Sequence, residues 1–194
     1  GIPSRGGEVQ IWDVAQRRLL EDLDRIHSDA VLSLAYSPDG QWLASAASDR
    51  MIRITRTTSW EVFNTLEGHT HHVMGVSWKS DGRTLATSGA DRLVKIWDVF
   101  KAQRKKNIEG FGKEVGGVCF VGLSDQLVAV SGDAKLRMLD VQGKEIRSFE
   151  GIPAFQHAID ITPDGRTLVT GGADGQLLFF DTEESKPTRA FERP

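Results

Sequence analysis

Gly68-His69-Thr70-His71-His72-Val73-Met74-Gly75-Val76-Ser77-Trp78, then Asp81-Gly82, Thr84-Leu85-Ala86-Thr87, Asp91 and Leu93-Val94-Lys95-Ile96-Trp97-Asp98, is the stretch whose reading decides the fold. Val73 to Trp78 is apolar and rich in strand formers, Asp81-Gly82 is a turn pair, and Thr84 to Thr87 starts a second strand. A Gly/Asp turn leads into a third strand, Leu93 to Trp97. A last short strand follows a polar turn, as Val62 to Leu66 does one unit earlier. The unit is four short antiparallel strands with no helical stretch. A sheet this small cannot cover its own faces, so it must stack against others.

Working outward, the unit recurs. Trp12, Thr55, Trp97, Leu139 and Phe180 occupy one position at intervals of 43, 42, 42 and 41, and Asp49, Asp91, Asp133 and Asp174 occupy another at 42, 42 and 41. Two markers in register over four periods argue for repetition rather than coincidence. Repeated small sheets are accommodated by radial stacking about an axis, which makes the chain an all-β propeller segment. The chain starts in phase at a third strand, Val9 to Val14, continues with a fourth near Arg18 to Leu23, and ends on a fourth strand near Arg189 to Glu192. The expected organisation is one domain, 1–194, with a two-strand partial blade at about 1–24 and four complete blades at about 25–67, 68–109, 110–150 and 151–194. Strand pairing between the ends cannot close such a ring. The expectation is therefore part of a larger propeller, or a half that pairs with a second copy, with Gly1 to Gly7 as an opened turn between second and third strands.

Composition bounds the function. With 24 Lys+Arg against 27 Asp+Glu the net charge is −3, which disfavours a dedicated nucleic-acid binder. At 39% hydrophobic and 26% charged residues, the 194-residue chain can fill a core. No apolar run approaches membrane-spanning length and no signal-peptide pattern is present, so neither nucleic acid nor membrane is expected as a partner. Cys119, the one cysteine, cannot form an internal disulfide and belongs to no C-x-x-C pair. The compartment stays open, with the cytoplasm favoured.

The residues also resemble a known family. Gly68-His69, Val73, Val76, Trp78, Asp81-Gly82, Leu85, Asp91, Val94, Ile96 and Trp97-Asp98 look like a nearly complete WD40 repeat, and the likeness extends over almost the whole chain. The resemblance implies that a histidine, a Ser/Thr, the turn aspartate and the tryptophan form one buried hydrogen-bonded chain: here His69, Thr87, Asp91 and Trp97. The chemistry is sound in its own right, since indole, hydroxyl, imidazole and carboxylate can satisfy one another in sequence. Their role is structural. His27, Ser45 and Asp49 form a partial set lacking tryptophan, because Thr55 stands in its place. Thr170 and Asp174 are left beside Ile152 and Phe180. Phe111, Ala129 and Leu139 replace all but Asp133 and read as an apolar substitute.

Other constellations resolve into structure. His69, His71 and His72 lack a fourth ligand at metal spacing, and Gly110, Gly112 and Gly116 miss the phosphate-loop pattern and precede no helix. Asp39-Gly40, Asp81-Gly82 and Asp164-Gly165 are turn pairs. No nucleophile-elbow, P-loop or H-E-x-x-H motif occurs, so no catalytic, cofactor-binding or metal residues are expected, and no cofactor. Lys101 to Lys106 holds four cations and is placed between third and fourth strands on the outer rim, as a solvated turn or a dock for an acidic partner.

The family typically binds partners through the face made by the connections between blades and the second-to-third-strand turns. The matching positions are Ala30 with Ser48, His72 with Ala90, Glu114 with Gly132, and Phe155 with Ala173. His72, Glu114 and Phe155 have side chains suited to a partner, Phe155 above all, because aromatics are enriched in interface hot spots. The resulting expectation is a non-catalytic scaffold for a protein or peptide partner, with homodimerisation as a way to complete the ring. The alternative is an accessory propeller of a larger bacterial enzyme or electron-transfer protein, since the glycine-rich N-terminal segment resembles, over a short length, propellers fused to c-type haem domains.

Overall fold

The computed structural model describes residues 7–153 and 155–191, so the opened turn expected at Gly1 to Gly7 lies almost wholly outside the described residues. β1 (Val9–Asp13) and β2 (Arg18–Leu23) pair as a two-stranded sheet. Four four-stranded antiparallel sheets follow in chain order. They are β3 (Val31–Tyr36), β4 (Trp42–Ala47), β5 (Ile52–Arg56) and β6 (Val62–Leu66); β7 (Val73–Trp78), β8 (Thr84–Gly89), β9 (Val94–Asp98) and β10 (Gln103–Ile108); β11 (Val115–Phe120), β12 (Gln126–Ser131), β13 (Lys135–Asp140) and β14 (Glu145–Phe149); and β15 (Gln156–Ile161), β16 (Thr167–Gly172), β17 (Leu177–Asp181) and β18 (Pro187–Phe191). Each sheet pairs its strands in sequence order, the meander expected from short turns. The last strand begins at Pro187, two residues before the expected Arg189, and Glu192 is outside the described residues.

Burial shows why no sheet stands alone. Trp42, Ile52, Ile54 and Leu66 of the first full blade interdigitate with Val73, Trp78, Leu85 and Trp97 of the second. Ile96 and Ile108 meet Phe111, Phe120 and Leu127, and Met138 and Phe149 meet Leu168, Leu178 and Phe180. Every core therefore belongs to two blades. The two-stranded sheet is seated in the same way, Val9 and Ile11 against Ile26 and Leu43. The inner strands β3, β7, β11 and β15 lie side by side around a shared groove and are tied directly. The Ser33 hydroxyl accepts the Val76 N–H at 3.3 Å, Ser77 accepts that of Phe120 at 3.0 Å, and the Trp78 indole donates to the Ala35 carbonyl at 3.0 Å.

Two β-bulges recur in every full blade. Leu32, Met74, Gly116 and His157 are the extra residues of the inner strands, and Phe63, Lys105, Ile146 and Thr188 those of the outer strands, as is Leu20 in β2. A bulge sets two residues against one, bending the strand and re-aiming a side chain. The outer bulge also corrects the placing of the basic cluster. Lys101 and Ala102 form the turn, but Arg104, Lys105 and Lys106 lie within β10 itself, Arg104 paired with Trp97, Lys106 with Ile96 and Lys105 the bulged residue between them.

The inner bulge sets a tight contact at Gly116. A Cβ there would come within 2.6 Å of the Gln156 carbonyl oxygen on the next blade. Backbone cannot yield as a side-chain tip can, so Gly116→Ala is expected to cost about 1–3 kcal/mol. Urea unfolding checks this, and an unchanged midpoint would show that the inner strands are not held at this distance.

Candidate functional site

The recurring polar site of each blade is built at the turn between its second and third strands. The turn aspartate comes first, and the next residue takes a left-handed backbone: Arg50 (φ 73°), Arg92 (φ 65°), Ala134 (φ 57°) and Gly175 (φ 76°). This aims the carboxylate back at the connection from the preceding blade. Asp49 accepts the Ser28 N–H at 3.1 Å, Asp91 that of Thr70 at 3.2 Å, and Asp133 that of Gly112 at 3.1 Å.

In the second full blade the rest of the chain assembles around this anchor. Trp97 Nε1 donates to Thr87 Oγ1 at 2.9 Å, Thr87 Oγ1 lies 2.8 Å from His69 Nε2, and His69 Nδ1 lies 2.9 Å from Asp91. One assignment of protons satisfies all four groups: indole N–H to hydroxyl, hydroxyl O–H to Nε2, and Nδ1–H to carboxylate. Burial pushes His69 below its ordinary value despite Asp91 beside it. Burial alone would raise Asp91, but the His69 hydrogen bond and the Thr70 amide hold it below the usual carboxylate range. A neutral imidazole on an ionised carboxylate follows.

The other blades vary this set. His27 lies 3.0 Å from Asp49 and 2.7 Å from Ser45, while the buried Thr55 hydroxyl, at the tryptophan position, has no partner. In the third, Phe111, Ala129 and Leu139 share one apolar cluster, and Arg137 stacks on Phe111 with 5.0 Å from guanidinium to ring centroid. In the fourth, Thr170 and Asp174 are not joined: Thr170 Oγ1 and Asp174 Oδ2 are buried without a hydrogen-bond partner. Three donors are missing there at once. Ile152 stands for histidine, Pro153 has no N–H where Ser28, Thr70 and Gly112 supply one, and Leu178 stands where the other blades have a cation.

That cation is what reading the sequence missed. Arg53, Lys95 and Arg137 follow the turn aspartates by four residues and lie 3.1, 3.6 and 3.2 Å from them. Their spacing of 42 residues was a visible signal. Lys95 is almost wholly buried, and burial lowers it despite Asp91.

The turns and interblade connections also build a face. The Ala30, His72, Glu114 and Phe155 carbonyls accept the N–H groups of Ser48, Ala90, Gly132 and Ala173 at 2.8, 2.9, 2.8 and 2.8 Å. All four expected position pairs are thus joined. His72 is exposed, with its ring 4.4 Å from that of His71, and Glu114 is half-buried. Phe155 is half-buried too, lying over Gly132 and edge-on to His157 at 4.3 Å between centroids. Beside this face the inner strands enclose a groove of about 560 Å³, lined by the bulge residues Leu32, Met74, Gly116 and His157. Among the described residues no cluster of His, Cys, Asp or Glu could hold a metal ion. Burial pushes the Cys119 thiol up to about 12, so it stays protonated beside the Ile159 carbonyl.

The WD domain, G-beta repeat model matches residues 22–55, 60–98 and 143–181, more than half of the chain. The chain belongs to the WD40 family. The unmatched central stretch, 99–142, contains the Phe111 and Ala129 substitutions and ends just past Leu139. Similar proteins include nuclear distribution protein PAC1 of Coccidioides posadasii (strain C735), 35% identical over 68 residues, which is 35% of this chain and 14% of that protein. The solved structures of U3-55K and of the RRP9 WD40 repeats each align with a TM-score of 0.89 at 23% identity, a likeness of fold. They cover 97% of this WD40 chain, which spans 59% and 58% of theirs.

Two outcomes follow from the polar sites. Thr87→Val orphans the Trp97 and His69 nitrogens and is expected to destabilise by roughly 1–3 kcal/mol, whereas Thr170→Val removes an orphaned hydroxyl and is expected to be neutral or stabilising. Paired denaturant melts check the opposite signs; equal losses would dissolve the distinction between the blades. For pH, His27 and His69 are both held below histidine's ordinary 6.5, burial being the largest cause. The unfolded chain then binds more protons just below 6.5, so their contribution is complete above that value and declines as pH falls through it. The Tm should drop between pH 7.5 and 5.5; a rise would mean that the rings are buried charged.

Proposed function

We propose that the chain is a non-catalytic scaffold that binds a protein or peptide partner across the face carrying His72, Glu114 and Phe155. The carrying observation is the set of four backbone hydrogen bonds joining each interblade connection to its neighbouring turn. They hold the face rigid, so a partner pays little ordering entropy there. His72 offers an exposed imidazole, Glu114 a charge and Phe155 an aromatic surface over Gly132, beside a groove large enough for inserted side chains. Family membership and the likeness to other WD40 proteins support this reading.

A second contact is favoured by the apolar side chains at the two ends of the arc of blades. Trp12, Leu34 and Tyr36 are exposed at one end, Leu177 and Phe191 at the other. We propose that these are sheet-packing surfaces, covered by further blades or a second copy of the chain. Light scattering on a sizing column distinguishes a dimer from a monomer.

Binding at the main face is tested by affinity capture from the source cells, followed by titration of the purified partner. A hot-spot aromatic contributes roughly 2 kcal/mol, or about thirtyfold in Kd. Phe155→Ala should weaken binding by about that factor and His72→Ala by less. A partner held equally by wild type and a triple His72/Glu114/Phe155 alanine variant would place its site elsewhere.

A further inference from the structure

The outer clefts between neighbouring blades are built on equivalent positions but filled differently. Between the first and second full blades, Trp42, Phe63 and Phe100 close the cleft with ring centroids 4.8–6.0 Å apart, and the Arg56 guanidinium lies 4.6 Å from the centroid of Trp42. One period on, the same positions hold Thr84, Lys105 and Gln142. No ring fills this second cleft, and a cavity of about 270 Å³ remains between Lys79, Lys105, Lys106 and the facing Asp125 and Gln142.

Its charges do not cancel. Lys79 lies 2.5 Å from Asp125 and 3.6 Å from Asp81, which accounts for both carboxylates of the cleft. Lys105 comes only to 3.9 Å of Asp98, whose carboxylate already takes two Arg83 nitrogens at 3.0 and 2.9 Å. Lys106 pairs with no carboxylate among the described residues. Consecutive strand residues normally point to opposite faces. The bulge at Lys105 breaks that alternation, so two neighbouring lysines line one cavity. Lys101, in the preceding turn, is exposed as well, whereas Arg104 pairs with Trp97 and lies on the opposite face of β10, its guanidinium beside Gly68. β10 is also the outermost strand of its sheet, with one backbone edge free to pair.

From this geometry we propose that the β10 edge and the adjoining cleft form a second docking site, for an extended acidic segment of a protein partner. The segment runs along β10 by strand addition and places a carboxylate side chain between Lys105 and Lys106. Complementary charge steers and aligns it, so binding weakens as salt rises. The site rests on the scaffold reading but uses the outer rim, away from His72, Glu114 and Phe155.

The test is fluorescence anisotropy of a labelled decapeptide of alternating glutamate and threonine, in 20 mM and 200 mM salt. Wild type should bind it saturably at low salt and more weakly at high salt. Lys105→Gln/Lys106→Gln should weaken binding at least tenfold, while Lys135→Gln/Lys186→Gln, which removes the same charge elsewhere, should leave it unchanged. All four lysines are exposed, and circular dichroism establishes that both variants fold. Absent wild-type binding at 20 mM salt, or equal weakening by the two variants, overturns the site. A ten-nucleotide oligothymidine competing as well as unlabelled peptide overturns it too, because the cleft would then be a general polyanion surface. The Phe155→Ala titration is independent of all these outcomes, so failure on the rim and failure on the main face are told apart.

Discussion

Three carboxylate-to-amide hydrogen bonds, from Ser28, Thr70 and Gly112 to Asp49, Asp91 and Asp133, hold the rest of the structure in place. Each ties the chain arriving from one blade to the turn of the next. Apart from the few hydrogen bonds between inner strands, the contacts the two sheets share are apolar and non-directional and do not fix an angle. The cation four residues later compensates the buried charge, and where it occurs a histidine orients the carboxylate further. The tryptophan and threonine are supports for that histidine.

Blades that depart from the pattern show that the anchor matters more than its supports. The third blade has lost histidine, hydroxyl and tryptophan together, yet Asp133 still holds its amide, and Arg137 fills the vacated space by stacking on Phe111. Replacing several members at once leaves no orphan. The fourth blade has instead lost the donors and kept the acceptors, and its two orphaned oxygens mark the difference. Sites that open first in a folded protein are those with the fewest satisfied internal bonds. Among the described residues, the turn carrying Asp174 and the strand carrying Thr170 meet that description.

The fold was legible because its signals are local: turn pairs, alternating strands, and a period visible at two positions. Four members of the polar chain were legible because each carries a side chain whose chemistry demands a partner. Arg53, Lys95 and Arg137 escaped notice because a lysine or arginine in a strand reads as solvated, and only depth in the fold distinguishes the buried Lys95 from an exposed one. Lys105 and Lys106 were read as a turn for a related reason. Strand prediction assumes strict alternation, and a bulge hides a strand by breaking it. The half-burial of Phe155 depends on Gly132 and His157, each more than one residue away in sequence, and no single-position signal carries it.

The outer bulge has a further consequence for how these molecules coexist at high concentration. A propeller presents the free edge of an outermost strand on every blade, and a straight free edge is a template for growing a sheet from one molecule into the next. Leu20, Phe63, Lys105, Ile146 and Thr188 put a kink at the same register of every such edge. Repetition gives the chain its stability and would also multiply its aggregation sites, and the irregularity repeated with each sheet limits every edge to pairing with a short segment rather than with a whole neighbouring sheet.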